Sequence, residues 1–426
     1  MARSLREPVT ARRQHTTLLV ASLVLIGMIC GPATTAAMTL EEAINQANEL
    51  EADAATTELV LTSDVELTAL LPALSGAAKL TITGACGSTG TSRCIISGGG
   101  GAFPIFASSS SSGSTAGQLT LVNLSFQQAK SVFSRVLAPI NASQCEFAHN
   151  NRGGVLSDKF PLMDAPPKRL FTGCVFFNNS SPMGGGAVNI DATTFDAFGL
   201  IDRVPALSFL RCTFNGNSAL THVGGAVRVA GTARLRFESC LFSDNSADAS
   251  GGAVYSKDAA LTFVKTNLYS NKARGTAAVS VVTSGAGGAV YAAASGTNTE
   301  AAVRFCSTTA FQYNSARLVD GANLYLEAGV VGSRWAAALA FCGCSKPIGS
   351  VVPTSGWQLL TSCSASQYLV WQSSWCPHSS SPSCFPAHSF CRLDCPHVLP
   401  PHPPAFASCL FPFGSLPPFS PYKQHL

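Results

Sequence analysis

Between residues 145 and 314 one phrase recurs six times: a small residue, any residue, a large apolar residue, two more, then Asn. The copies are Cys145-Phe147-Asn150, Cys174-Phe176-Asn179, Cys212-Phe214-Asn217, Cys240-Phe242-Asn245, Thr266-Leu268-Asn271 and Thr309-Phe311-Asn314. Each is followed by a glycine phrase. These run Gly153-Gly154-Val155, Gly185-Gly186-Ala187-Val188, Gly224-Gly225-Ala226-Val227, Gly251-Gly252-Ala253-Val254, Gly287-Gly288-Ala289-Val290 and a degenerate Gly321-Ala322-Asn323-Leu324. Successive asparagines lie 29, 38, 28, 26 and 43 residues apart, which gives a basic unit of 26 to 29 residues lengthened in two copies. Periods of that order mark solenoids, in which each unit buries its apolar face only against its neighbours.

The residues between the landmarks choose the kind of solenoid. From Gly251 the chain reads Gly-Gly-Ala-Val-Tyr-Ser, turns at Lys257 and Asp258, runs Leu261-Thr-Phe-Val-Lys-Thr, and reaches Leu268 and Asn271. Short alternating runs rich in β-branched and aromatic residues are strands. Each unit is therefore expected to be one coil of a parallel β-helix, with about three short strands and three bends. Stacking at about 4.8 Å would place Phe147, Phe176, Phe214, Phe242, Leu268 and Phe311 in an apolar spine. The asparagines Asn150, Asn179, Asn217, Asn245, Asn271 and Asn314 would form a column of their own. A polar residue facing a packed interior is costly unless bonded, so the column is expected to be a hydrogen-bonded ladder at a bend where Asn tolerates the left-handed conformation.

The paired Phe-x-x-Asn and Gly-Gly-Ala-Val phrases resemble the repeat of chlamydial polymorphic outer-membrane proteins, within the wider right-handed parallel β-helix, pectin-lyase-like superfamily. The resemblance covers residues 120–330, and Leu80-Thr-Ile-Thr-Gly, Cys94-Ile-Ile-Ser-Gly and Leu119-Thr-Leu-Val-Asn-Leu-Ser-Phe126 resemble opening coils. It implies an all-β, right-handed, single-stranded solenoid in a surface or secreted protein, of a kind that includes adhesive members and others that cut polysaccharides. Family members also end in a membrane barrel of alternating strands. Residues 345–426, clustered in Pro, Ser, Cys and His, are too short and too Pro-rich for one.

Four segments follow. Residues 1–37 carry Arg3, Arg6, Arg12 and Arg13 ahead of an apolar run from Leu18 to Cys30 and small residues Ala33 to Ala37, the pattern of a secretory signal peptide. An uncleaved signal anchor is the alternative, although a membrane-spanning helix needs about 20 apolar residues. No transmembrane segment is expected in the mature chain, and the location is extracellular or cell-surface. Residues 38–79 are the N-terminal cap and lead-in, where Thr39 and Glu42 make a capping box and Leu40, Ala43, Ile44, Ala47 and Leu50 repeat at helical spacing. Residues 80–344 are the β-helix, and 345–426 an expected disordered tail. Export also gives a context to sequons at Asn123, Asn141, Asn178 and Asn179.

The 16 cysteines sort by position. Cys86 and Cys94 flank a Gly-Ser-Thr-Gly loop and are the candidates for a local disulfide. Cys145, Cys174, Cys212 and Cys240 share one repeat position. Coil spacing permits bridging, but a reduced, buried stack is the expectation. In the tail, Cys384, His388, Cys391, Cys395 and His397 have the chemistry of a zinc site without the spacing of a zinc module.

Little in the coils looks catalytic. Asp191, Asp196 and Asp202 with Arg203 form the one acidic cluster, the candidates if the chain were a polysaccharide lyase or hydrolase, whose carboxylates must sit about 5 to 9.5 Å apart. An exposed polar loop is the simpler reading. His149 and His222 are expected as exposed turn residues, and Asp244 and Asp248 are too few for calcium, which takes 6 to 8 oxygens. Gly98 to Gly101 reads as turn material. A net charge of +4, with Lys and Arg scattered, argues against nucleic acid. No cofactor is called for. Three insertions, 191–204, 272–286 and 292–305, hold mostly small residues, and Tyr255, Tyr269, Tyr291, Tyr313 and Tyr325 read as packing or edge residues. The expected role is a structural or adhesive module that contacts polysaccharide or a cell-surface protein, with the lyase or hydrolase as alternative.

Overall fold

A computed structural model of the chain describes residues 38–360 except 51–55, 76–77, 91, 109–116, 137, 160–167, 193–205, 276–284, 295–301, 307, 318–320, 328–336, 343–349 and 352–356. The signal region, the zinc candidates and the tail beyond residue 360 lie outside the described residues.

Every named strand pairs in parallel with its equivalent in the next coil. The stacked strands form four sheets of 11, 9, 9 and 5 strands. In one coil the chain visits sheet A (Ala260–Val264 and its equivalents), sheet B (Asn267–Tyr269), sheet C (Lys272–Ala273) and sheet D (Val290–Ala293). This is a parallel β-helix, with a fourth face where three strands were expected. Sheet C consists of two-residue strands such as Ser218–Ala219 and Ser246–Ala247. So short a segment shows no alternation, which hid it in the sequence.

The stack begins ahead of Leu80, because Thr57–Leu61 pairs with Leu80–Gly84. It runs on past residue 344, where Ser350–Val351 and Trp357–Leu360 extend sheets D and A. Helix α1 (Leu40–Glu49) packs on the first strands of sheet A. Its capping box is complete: the Glu42 amide donates to Thr39 Oγ1 at 3.2 Å and the Thr39 amide to Glu42 Oε2 at 2.7 Å. Leu40, Ala43, Ile44 and Ala47 are buried against the open end of the core. Covering a Leu and an Ile there contributes about 1.5–3 kcal/mol each.

Two stacks of phenylalanine fill the interior. The expected spine is present in sheet B, with Phe176, Phe214 and Phe242 stacked at centroid spacings of 4.5 Å. Its last member, Phe311, is only half-buried, because sheet B ends at Ala310–Gln312 while sheets A and D continue. The sequence reading missed a second stack in sheet A: Phe171, Phe209, Phe237, Phe263 and Phe305, spaced 5.1–5.2 Å. Rings of the two stacks meet edge to face, as Phe237 and Phe242 do at 5.1 Å and 80°. That geometry favours aromatic pairs beyond simple area burial.

The asparagines form a continuous ladder. Asn217 Nδ2 donates to Asn245 Oδ1 at 3.0 Å and to Phe176 O at 2.9 Å, while the Asn217 amide N–H also donates to Asn245 Oδ1. The same pattern links Asn150, Asn179, Asn217, Asn245, Asn271 and Asn314, and ends on Asn323. The left-handed residue is the one before each rung: His149, Asn178, Gly216, Asp244, Ser270 and Tyr313 all have φ between 48° and 65°. The rung is therefore Asn for its amide, and the corner strain expected of it falls on its neighbour. Of the Gly-Gly pairs, Gly251 needs its φ of 70°. Gly252 needs the missing Cβ, which would lie 2.0 Å from Gly288 O.

An ion pair breaks the apolar rule inside the coils. Arg169 lies in register with Ile140 and Leu207, where the neighbouring coils carry aliphatic side chains. It is fully buried, donates Nη2 to Val136 O at 2.7 Å, and is ion-paired with Asp158, which points inward from sheet D. Burial pushes the Asp158 carboxyl up and the Arg169 guanidinium down, each partly offset by the other's charge.

Candidate functional site

On a solenoid the inward positions repeat and the outward ones are free to vary, so recognition belongs to the outer faces and corners. The outer face of sheet A carries a half-open groove of about 560 Å³ across several coils. In register, its outward positions run Asn141, Leu170, Ser208 and Arg236 along the axis. Leu170 is 40% exposed, an apolar floor beside Leu210. Lys168 stands at one margin. Arg236 donates Nη2 to Glu238 Oε2 at 2.9 Å, so the one carboxylate lining the groove among the described residues is already engaged by a cation. The groove offers an extended ligand an apolar strip flanked by an amide, a hydroxyl and a lysine.

Of the acidic candidates, Asp191 alone lies among the described residues. Asp191 lies in the strand Val188–Ala192 of sheet D, in register with Lys159 and Ala230. Asp196, Asp202 and Arg203 lie outside the described residues. The insertion boundaries also need correction. The span 292–305 contains the ends of two strands, Val290–Ala293 and Ala302–Cys306. The span 272–286 opens on the strand Lys272–Ala273. Alanine-rich strands carry too little contrast to stand out from a loop.

His149 is exposed with its ring edge on Phe177, but His222 is only half so. Burial, and then Arg228, pushes the His222 imidazole down, and its Nδ1 accepts the Val223 amide. Asp244 is an exposed left-handed corner, while Asp248 accepts from the Thr221 amide and Arg274 of adjacent coils. No group of three or more His, Cys, Asp or Glu placed to hold a metal ion occurs among the described residues. Of the sequons, Asn178 is exposed. Asn179 is a fully buried ladder rung, closed to modification once folded. Tyr255, Tyr291 and Tyr325 stack at 5.1 and 5.4 Å on sheet D, with Tyr291 fully buried and its hydroxyl donating to Glu327. Tyr269 and Tyr313 meet edge to face at the outer corner of sheet B, Tyr313 being 77% exposed.

Cys86 and Cys94 are joined in a disulfide with Cα atoms 5.1 Å apart. Cys145, Cys174, Cys212 and Cys240 are free and buried in one column. Each thiol donates toward backbone carbonyls at the corner between sheets A and B, as Cys240 Sγ does to Phe209 O at 3.2 Å.

Coils in register, a saturated Asn ladder and stacked aromatics define the class: a parallel β-helix repeat protein. Residues 239–257, which hold Cys240, Phe242, Asn245 and Gly251-Gly252-Ala253-Val254, match the family model described as the Chlamydia polymorphic membrane protein repeat. The chain thus carries at least one such repeat, and the five companion phrases occupy equivalent places in the fold. No curated protein and no solved structure matches the chain. No helix among the described residues is long and apolar enough to cross a membrane.

Proposed function

We propose that this chain is a secreted or cell-surface β-helix protein that works by contact rather than by chemistry, with the outer groove of sheet A as its glycan-contacting surface. The observation that carries the reading is the groove's lining: a long in-register strip of Asn141, Leu170, Ser208 and Arg236 with Lys168 beside it, and one carboxylate, Glu238, held by Arg236. Such a strip suits an extended polymer laid along the axis. A surface location is supported by the match to a repeat of membrane proteins and by the signal-like residues 1–37.

The test is a glycan array probed with the purified mature chain, with and without calcium, beside the double variant Lys168→Ala/Arg236→Ala. Binding to a restricted set of glycans that falls at least tenfold in the variant is expected. Release of unsaturated or reducing ends from a polyuronate by the purified chain would overturn it in favour of the lyase or hydrolase alternative.

A further inference from the structure

At the corner that leads from sheet A into sheet B one position recurs in every coil. In register it runs Cys94, Leu124, Cys145, Cys174, Cys212, Cys240, Thr266 and Thr309. The residue before most of these is left-handed, as at Gln144, Gly173, Arg211, Ser239 and Lys265. That turn brings two backbone carbonyls together over the position. Thr266 Oγ1 lies 3.0 Å from Val264 O and 3.1 Å from Phe237 O. Cys240 Sγ lies 3.4 Å from Glu238 O and 3.2 Å from Phe209 O, the same two places one coil earlier.

From Cys145 onward the corner suits a small side chain with a hydrogen to donate. A hydroxyl meets that need at least as well as a thiol, which is the weaker donor. Packing at the corner does not explain sulfur at four consecutive rungs. The four cysteines stand in register on successive coils. Strand spacing of about 4.8 Å lies within the 4.4–6.8 Å Cα separation that a disulfide accepts. Cys94, of the same column, is already oxidised.

We propose that the column is a redox-convertible staple: a low-molecular-weight disulfide oxidises it to Cys145–Cys174 and Cys212–Cys240, joining the coils in two covalent pairs. For each pair, one thiolate attacks a sulfur of the oxidant and expels a small thiolate, which takes up the released proton. The neighbouring cysteine, deprotonated in turn, attacks the mixed disulfide and expels the second small thiol, so two protein thiols are oxidised and one external disulfide is reduced. This pairing uses all four thiols and closes loops of 29 and 28 residues, whereas Cys174–Cys212 would span 38 and strand the outer two. Because all four side chains are at most 2% exposed, exchange belongs to folding, before the coils close over the column.

The full chain refolded from urea in oxidised glutathione should yield, after alkylation and proteolysis without reductant, linked peptides for Cys145–Cys174 and Cys212–Cys240. Its unfolding temperature should exceed that of the reduced protein by about 5–15 °C. Cys174→Thr/Cys240→Thr keeps the corner hydrogen bonds in the manner of Thr266, and should fold yet lose the oxidation-dependent rise. Cys86→Ser/Cys94→Ser should retain it. Alkylation of all four column thiols in a sample where Cys86–Cys94 is oxidised overturns the proposal. So does a Cys174–Cys212 product alone, or an equal rise in the threonine variant.

Discussion

Asn217 shows how much one rung carries. Its side chain donates to Phe176 O and Asn245 Oδ1, and its Oδ1 accepts the amide and Nδ2 of Asn179. Replacing it with Ala removes the rung and leaves buried groups on both neighbouring coils unpartnered. A loss of about 3–5 kcal/mol in urea unfolding is expected. The Arg169–Asp158 pair behaves differently, because removing one charge strands the other in the core. Arg169→Leu alone should cost about 3–5 kcal/mol, while Arg169→Leu/Asp158→Ile should recover that loss and add about 1–4 kcal/mol. A thermal-unfolding cycle over the four proteins checks both statements. The ladder was legible in the sequence because the same residue type recurs at a fixed distance from Phe. The ion pair was not, since Arg169 and Asp158 each occur once and nothing in a single coil marks them as inward-facing.

At the scale of the element, helix α1 was readable from Thr39, Glu42 and the helical spacing of Leu40, Ala43, Ile44 and Ala47. Its pH response follows from the capping box. Bonding from the Thr39 backbone, then from its side chain, pulls the Glu42 carboxyl below its ordinary value of 4.5. A carboxylate depressed in the folded state stabilises above its unfolded pKa and ceases to as the pH falls through the folded one. Glu42→Ala should therefore unfold at lower temperature than the parent at pH 7, and the two curves should converge as the pH drops below about 4. Strands were less legible than the helix. The Phe-x-x-Asn phrase located sheet B and the glycines located sheet D. Sheet A is legible where Leu80, Leu119 and Leu261 open alternating runs, and hidden at Ala302–Cys306, which falls mostly within the span 292–305 that reads as an insertion. The candidate groove is built on that sheet, so its residues Asn141, Lys168, Ser208 and Arg236 come from separate coils and share no motif. Register alone unites them.

For the molecule as a whole, the hydrogen bonds that join Asn179 to Asn217 to Asn245, like those of the sheets, run from coil to coil along the long axis. A tensile load on the two ends consequently opens each coil's bonds as a zipper and leaves the next coil intact. Stretched in a single-molecule force experiment, the reduced protein should yield in a series of low-force steps. One coil of 26 to 29 residues releases roughly 90 Å of chain per step at about 3.4 Å per residue. A single large rupture would contradict this. Within a surface layer, such a protein would act as a graded shock absorber, paying out length one turn at a time while the remaining turns stay folded.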